Sequence, residues 1–178
     1  MIDNVTIQRI QTLHPKIRKE VNDIYVNEVV PALTGKAICR FAYTLRTFKE
    51  QNDFYAIGRT KLFDSNGKRL GKVTNAKGGQ SIHNYGLAFD IVLLKDRDSN
   101  GSFETASWED TIDFDKDGKA DWMEVVNIFK NRGYEWGGDW KSFKDKPHFQ
   151  KDFNYDWRRL LSKYNSRDFI PGTEYVNL

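Results

Sequence analysis

Ser81-Ile82-His83-Asn84-Tyr85-Gly86-Leu87-Ala88-Phe89-Asp90, together with Asp145-Lys146-Pro147-His148-Phe149 further along, decides how this chain is read. Only three histidines exist, at positions 14, 83 and 148, and two of them fall in these stretches. His83 precedes Asp90 by seven residues. On an unbroken strand such positions face opposite sides. Gly86 supplies a place to turn, so a loop could return His83 to the side of Asp90. Two neutral imidazoles and one carboxylate make a suitable catalytic zinc shell with the fourth position left for water. Asp145, three residues before His148, is a carboxylate placed to take a proton from that water. Spacing alone leaves this a modest signal, because many proteins with two His and several Asp bind no metal. His14, before Pro15, reads instead as a surface or helix-capping residue.

Outward from the two motifs, the pattern is helices first and strands through the middle, which predicts an α+β domain. Thr6 to Leu13 and Pro15 to Val30 read as helices, the second carrying Ile17, Val21, Ile24 and Tyr25 as an apolar stripe. Pro31 should end or kink that helix before Gly35. Lys36 to Tyr43 reads as a strand, and Thr47 with Glu50 forms a candidate capping box for a helix to Ala56. Residues 64–82 read as a surface loop and Ala88 to Leu94 as a buried strand. A helix over Asp121 to Lys130, short strands at Tyr134 to Trp136 and Phe149-Gln150, and a helix over Tyr155 to Tyr164 complete the expectation. No repeat or linker interrupts the chain. One domain over 1–178 is expected, with a helical part at 1–35, a core at 36–165 and an acidic insertion at 96–121.

The chain has 178 residues and a net charge of +3, with acids and bases interspersed. That length supports a real hydrophobic core. The weak positive charge favours anionic partners such as a cell-wall polymer or nucleic acid without deciding anything. No apolar run reaches the ~20 residues needed to cross a bilayer. The single cysteine, Cys39, rules out a disulfide framework and a thiolate zinc site, and it reads as a small buried residue rather than a catalytic thiol. The start has no basic segment followed by an apolar one, so no secretory signal is expected. That leaves retention in the cytoplasm, release by another route, or a trimmed leader.

S-x-H-x-x-G-x-A-x-D followed by D-x-P-H-F resembles the LAS metallopeptidases, the group of lysostaphin-type enzymes, D-alanyl-D-alanine metallopeptidases and the hedgehog signalling domain. Within it the chain is most similar to the D-alanyl-D-alanine carboxypeptidase branch, which includes L-alanyl-D-glutamate endopeptidases of bacteria and phage endolysins. Leu45-Arg46-Thr47-Phe48-Lys49-Glu50-Gln51, Tyr55-Ala56-Ile57-Gly58-Arg59-Thr60, Gly79 to Asp90 and Glu135 to His148 carry the likeness. The resemblance implies a small, mainly antiparallel sheet bearing a zinc site and flanked by helices. It implies zinc at His83, Asp90 and His148, and Asp145 as acid/base. Arg46 would steady the oxyanion, a role that suits a fixed cation beside developing charge. Arg59, Ser81 and Gln51 are implied substrate-binding residues. The implied substrate is peptidoglycan or muropeptides, with no nucleic acid and no membrane span, acted on at the cell wall by a monomer. Gly58-Arg59-Thr60, Gly78-Gly79-Gln80-Ser81 and Asp at 145 look more like the endopeptidases. A D-alanyl-D-alanine carboxypeptidase or dipeptidase, and a zinc-stabilised binding module without catalysis, are the alternatives.

Asp113-Phe114-Asp115-Lys116-Asp117-Gly118-Lys119-Ala120-Asp121-Trp122-Met123-Glu124 has the pattern of a calcium-binding EF-hand loop. Asp113, Asp115, Asp117, Asp121 and Glu124 fall at ligand positions 1, 3, 5, 9 and 12, with Gly118 at the sharp turn. The bland reading is a solvated acidic turn with Asp121 capping the next helix. Thr105 to Ile112 is short and polar, which leaves the incoming helix doubtful. Asp96 to Gly101 is an upstream half-copy without an acid at position 12 and reads as a loop. A purely structural calcium protein would explain this loop but leave both histidine motifs idle.

Overall fold

A computed structural model describes residues 1–98 and 100–178. Ser99, inside the upstream half-copy, lies outside the described residues. Helices α1 (Asn4–Ile10) and α2 (Pro15–Ile24) open the chain. The second continues through a π turn, Tyr25–Val29, into the short α3 (Val30–Ala32). The widened ladder lies just ahead of Pro31, which has no N–H to give, so the helix runs past the proline. It stops where Thr34 and Gly35 take positive φ.

β1 (Ala37–Tyr43), at one edge of the sheet, pairs antiparallel with the central β2 (Ala88–Lys95). On the free side of β2, its first half pairs with β5 (His148–Gln150) and its last with β3 (Thr105–Ser107). β4 (Glu135–Trp136) closes the edge beside β5. Every pairing is antiparallel. α4 (Phe48–Ala56) follows β1, with the Thr47–Glu50 capping box in place. α5 (Asp121–Asn131) and α6 (Trp157–Asn165) complete the helices. The stretch over 105–112, doubtful as an incoming helix, begins instead as β3.

Strand alternation sorts β2 into two faces. Phe89, Ile91 and Leu93 are fully buried and face the helices. There Phe89 stacks between Phe41 and Phe149, and Phe129 of α5 packs against all three rings. Rings of this size contribute roughly 1.5–3 kcal/mol each through burial. The opposite face carries Asp90. Its direct cross-strand partner is His148, so the sheet register itself brings two motif residues together. Cys39 is buried in the core, where burial pushes its thiol pKa up, and that excludes a nucleophilic role.

Asp3 ties α1 to β1. Its carboxylate accepts from the Thr6 N–H and hydroxyl and takes two bonds from Arg40. Burial alone would raise its pKa, but Arg40 and Thr6 together hold it below the ordinary value. The folded pKa is therefore below the unfolded one. The stabilisation is complete above the usual Asp range and disappears as pH falls through the folded pKa. Asp3→Ala is expected to cost about 1–3 kcal/mol at neutral pH, mainly through the lost cap, with a smaller ionic part because Arg40 is partly open to solvent. Denaturant titration should show the gap between variant and wild type closing in acid. A gap that stays constant with pH would rule out the ionic contribution.

Candidate metal centre and active site

Gly86 sits at φ 69°, in the left-handed region, and ends a short 3-10 turn over Ile82–Tyr85. The turn reverses the chain and places His83 over the start of β2. A Cβ at position 86 would lie 2.8 Å from the His14 nitrogen, so glycine is required by space as well as by angle. His83 Nε2 lies 3.1 Å from Asp90 Oδ1 and 3.1 Å from His148 Nδ1, and those two atoms are 3.2 Å apart. All three side chains are largely withdrawn from solvent.

The hydrogen bonds outside this triangle fix where the protons are. His83 Nδ1 donates to the Thr44 carbonyl, which leaves Nε2 with its lone pair. His148 Nε2 faces Gln150 Oε1 at 3.0 Å, and the Gln150 amide N–H donates to Glu135. Since that N–H points at a carboxylate, the Gln150 oxygen is what faces His148. His148 Nε2 is therefore the donor, and Nδ1 carries the lone pair. With both imidazoles neutral, two nitrogen lone pairs and a carboxylate oxygen converge with no proton between them. Such a cluster repels itself unless a cation sits in it. Ligands around tetrahedral zinc are roughly 3.3 Å apart, within a few tenths of an ångström of this spacing.

The triangle forms part of the floor of a cleft of about 480 Å³. Arg46, Ser81 and Asp145 also line it. Arg46 donates to Asp90 Oδ2 at 3.4 Å and to Gln51 Oε1 at 2.9 Å, with its guanidinium over the Tyr43 and Phe54 rings. Its Nε is buried without an acceptor among the described residues. Asp145 is half-buried; burial first, and then the Asp90 charge, raise its pKa. Gly137 packs under the turn that presents Asp145 and His148, and a Cβ there would lie 2.4 Å from the Asp145 carbonyl oxygen.

Two expected substrate contacts sit behind the wall instead. Gln51 is 0% exposed and bridges Arg46 to the Ala76 carbonyl, so it acts by positioning Arg46. Arg59 does not line the cleft. It stacks on Tyr55 and donates to Asn75, which does. His14 caps α2 as expected, but at 1% exposure it is no surface residue, because Nε2 donates to the Val176 carbonyl in the interior. Motif spacing gave no sign of the aromatic walls of the cleft, Trp108, Trp140 and Phe143 among them.

The sequence pattern of the peptidase family described as D-alanyl-D-alanine carboxypeptidase matches residues 74–151, which contain all three members of the triangle and Asp145. Peptidases of this family are zinc-dependent, in keeping with the donor set. Over 96 residues, 54% of this chain, it is 49% identical to the peptidoglycan L-alanyl-D-glutamate endopeptidase CwlK of Bacillus subtilis (strain 168). The match covers 50% of that protein, so the chain spans about half the length of the curated relative. Among solved structures it is similar to the L-Ala D-Glu endopeptidase ChiX of Serratia marcescens. The TM-score is 0.50 at 20% identity, over 86% of this chain and 92% of that one, a likeness of fold.

The family segment includes a supporting relay outside the triangle, in which Trp140 Nε1 donates to Glu135, Gln150 to Glu135, and His148 to Gln150. Such partners orient a ligand imidazole and set its basicity. Gln150→Ala is expected to weaken zinc binding about 10–100-fold without unfolding the chain. Competition with a chromophoric chelator measures this, and unchanged affinity would show that the relay is incidental.

Proposed function

We propose that this chain is a zinc-dependent peptidase that hydrolyses peptidoglycan stem peptides at the bond between L-alanine and D-glutamate. The observation that carries the reading is the His83–Asp90–His148 triangle sharing one cleft with Asp145 and Arg46. Its 49% identity to an L-alanyl-D-glutamate endopeptidase supports the choice of bond. A core cluster running from Ile10 to Val176 supports action as one domain. The reading places the reaction at the cell wall. No helix among the described residues is long and apolar enough to cross a membrane.

Zinc held by His83, Asp90 and His148 would supply Lewis-acid polarisation and bring the pKa of water down to ~7. The remaining work falls to the chain. Asp145 takes a proton as the water oxygen bonds to the carbonyl carbon. It then returns that proton to the nitrogen as the carbon–nitrogen bond breaks. The raised pKa of its half-buried carboxyl suits both halves of the exchange. Arg46, locked by Gln51 and two rings, offers fixed positive charge to the carbonyl oxygen as it becomes an oxyanion.

The test is digestion of purified peptidoglycan by the zinc-loaded protein, with fragments identified by mass spectrometry. New D-glutamyl amino termini support the reading. Release of D-alanine alone would assign carboxypeptidase activity instead. No cleavage by folded, zinc-loaded protein would leave a wall-binding module.

A further inference from the structure

The acidic loop over residues 113–124 takes no part in the peptidase chemistry, yet two of its carboxylate oxygens are buried without a partner among the described residues. One oxygen from each of Asp113, Asp115 and Asp121 lies within 4.8 Å of the other two. Asp121 is 0% exposed. Its Oδ2 accepts the Phe114 N–H at 2.6 Å, while Oδ1 has no partner among the described residues. Glu124 is in the same condition. Its side chain is 12% exposed, one oxygen is 3.7 Å from Lys119 Nζ, and Oε2 is buried without a partner. Leaving a buried acceptor unpaired costs about 1–3 kcal/mol, and more when it is charged. Two such oxygens in one loop, beside further carboxylates, point to an absent positive partner. Lys119 is the cation that pairs within the loop, and it is exposed and shared between Asp117 and Glu124.

We propose that Asp113, Asp115, Asp117, Asp121 and Glu124 form a calcium site, with the Lys119 carbonyl as a further oxygen ligand. Calcium takes six to eight oxygens in flexible geometry, and this spacing supplies them at the positions such loops use. Magnesium, which demands a tighter octahedron and keeps its waters, suits the loop less well. Burial, followed by the charges of Asp115 and Asp113, raises the Asp121 pKa, the repulsion a divalent cation would relieve.

The site has a mechanical connection to the cleft. The Asp121 N–H donates to the Ile112 carbonyl at 3.1 Å. Two residues earlier, Asp110 pairs at 2.6 Å with Lys146, the neighbour of Asp145. Trp108, in the same stretch, lines the cleft. On the other side, Thr34 donates to Asp115 and joins the loop to the end of the N-terminal helices. An occupied loop therefore fixes the 108–112 stretch against the catalytic turn.

The experiment uses the zinc-loaded protein and reads binding rather than hydrolysis, so its result is independent of the peptidase assignment. Terbium is titrated with excitation of tryptophan, Trp122 being next to Asp121, and calcium or magnesium is then added. Thermal midpoints and amide exchange are measured with and without calcium. The expected result is sensitised terbium emission displaced by calcium far better than by magnesium. A midpoint several degrees higher in calcium and greater protection at 108–112 should accompany it. Glu124→Gln should weaken calcium binding at least tenfold, and Asp121→Asn provides a second variant if either folds poorly. Absence of both emission and a thermal shift in folded wild type would overturn the site. Binding with no added protection at 108–112 would overturn its connection to the cleft.

Discussion

Asp145→Ala is expected to lower kcat/KM on peptidoglycan fragments by about 10³-fold while zinc stays bound. The separation follows from geometry, because Asp145 lines the cleft but is not one of the three converging donors. Its side chain makes no contact that holds the triangle, whereas its backbone does: the Asp145 N–H donates to the Gly137 carbonyl, and the Asp145 carbonyl accepts from the His148 N–H. Alanine keeps both bonds, so the catalytic turn should survive. A factor of 10³ corresponds to about 4 kcal/mol of transition-state stabilisation. Asp145→Asn, similar in size but unable to take the proton, should fall about as far. Metal content and activity measured on the same preparations decide the point. If Asp145→Asn retained most of the activity, proton transfer would have to be assigned elsewhere. If Asp145→Ala lost its zinc, the residue's role would be structural.

The helices and central strands were legible because each had a local cause. The Thr47–Glu50 capping box, the stripe of Ile17, Val21 and Ile24, and the apolar run from Ala88 all appear where side-chain chemistry places them. The metal triangle was legible for a different reason: His83, Gly86 and Asp90 lie close in sequence, so a single turn could be inferred to bring them together. What escaped was non-local. β3 is only three residues long and depends on the end of β2 for its partner, so Thr105 to Ser107 shows little by itself. The continuation of the first long helix past Pro31 depends on a π turn that no propensity announces. Gln51 and Arg59 show the same limit at the site. Sequence places them in motifs, but only packing reveals that one supports Arg46 and the other supports Asn75.

Arg46 is the residue whose replacement should best separate charge from shape. Arg46→Ala is expected to reduce kcat by about 10²–10³-fold, the usual effect of losing one donor to an oxyanion. Arg46→Lys is expected to recover only a small part of that loss. The guanidinium lies within 5.0 Å of the Tyr43 and Phe54 ring centres, with one arm on Gln51 and the other on Asp90. An ammonium on a flexible stem can meet one of those partners at a time and cannot reproduce the fork. The Gln51 amide would then lose the partner at its oxygen, inside a fully buried position. Some loss of stability should therefore accompany the kinetic effect in both variants, and denaturant titration measures it separately. The diagnostic quantity is the partition between kcat and KM. An arginine that acts on the developing oxyanion should lower kcat with KM little changed. A rise in KM at constant kcat would instead make Arg46 a residue of ground-state binding, and Asp145 would then be the one side chain of the cleft acting on the reacting bond.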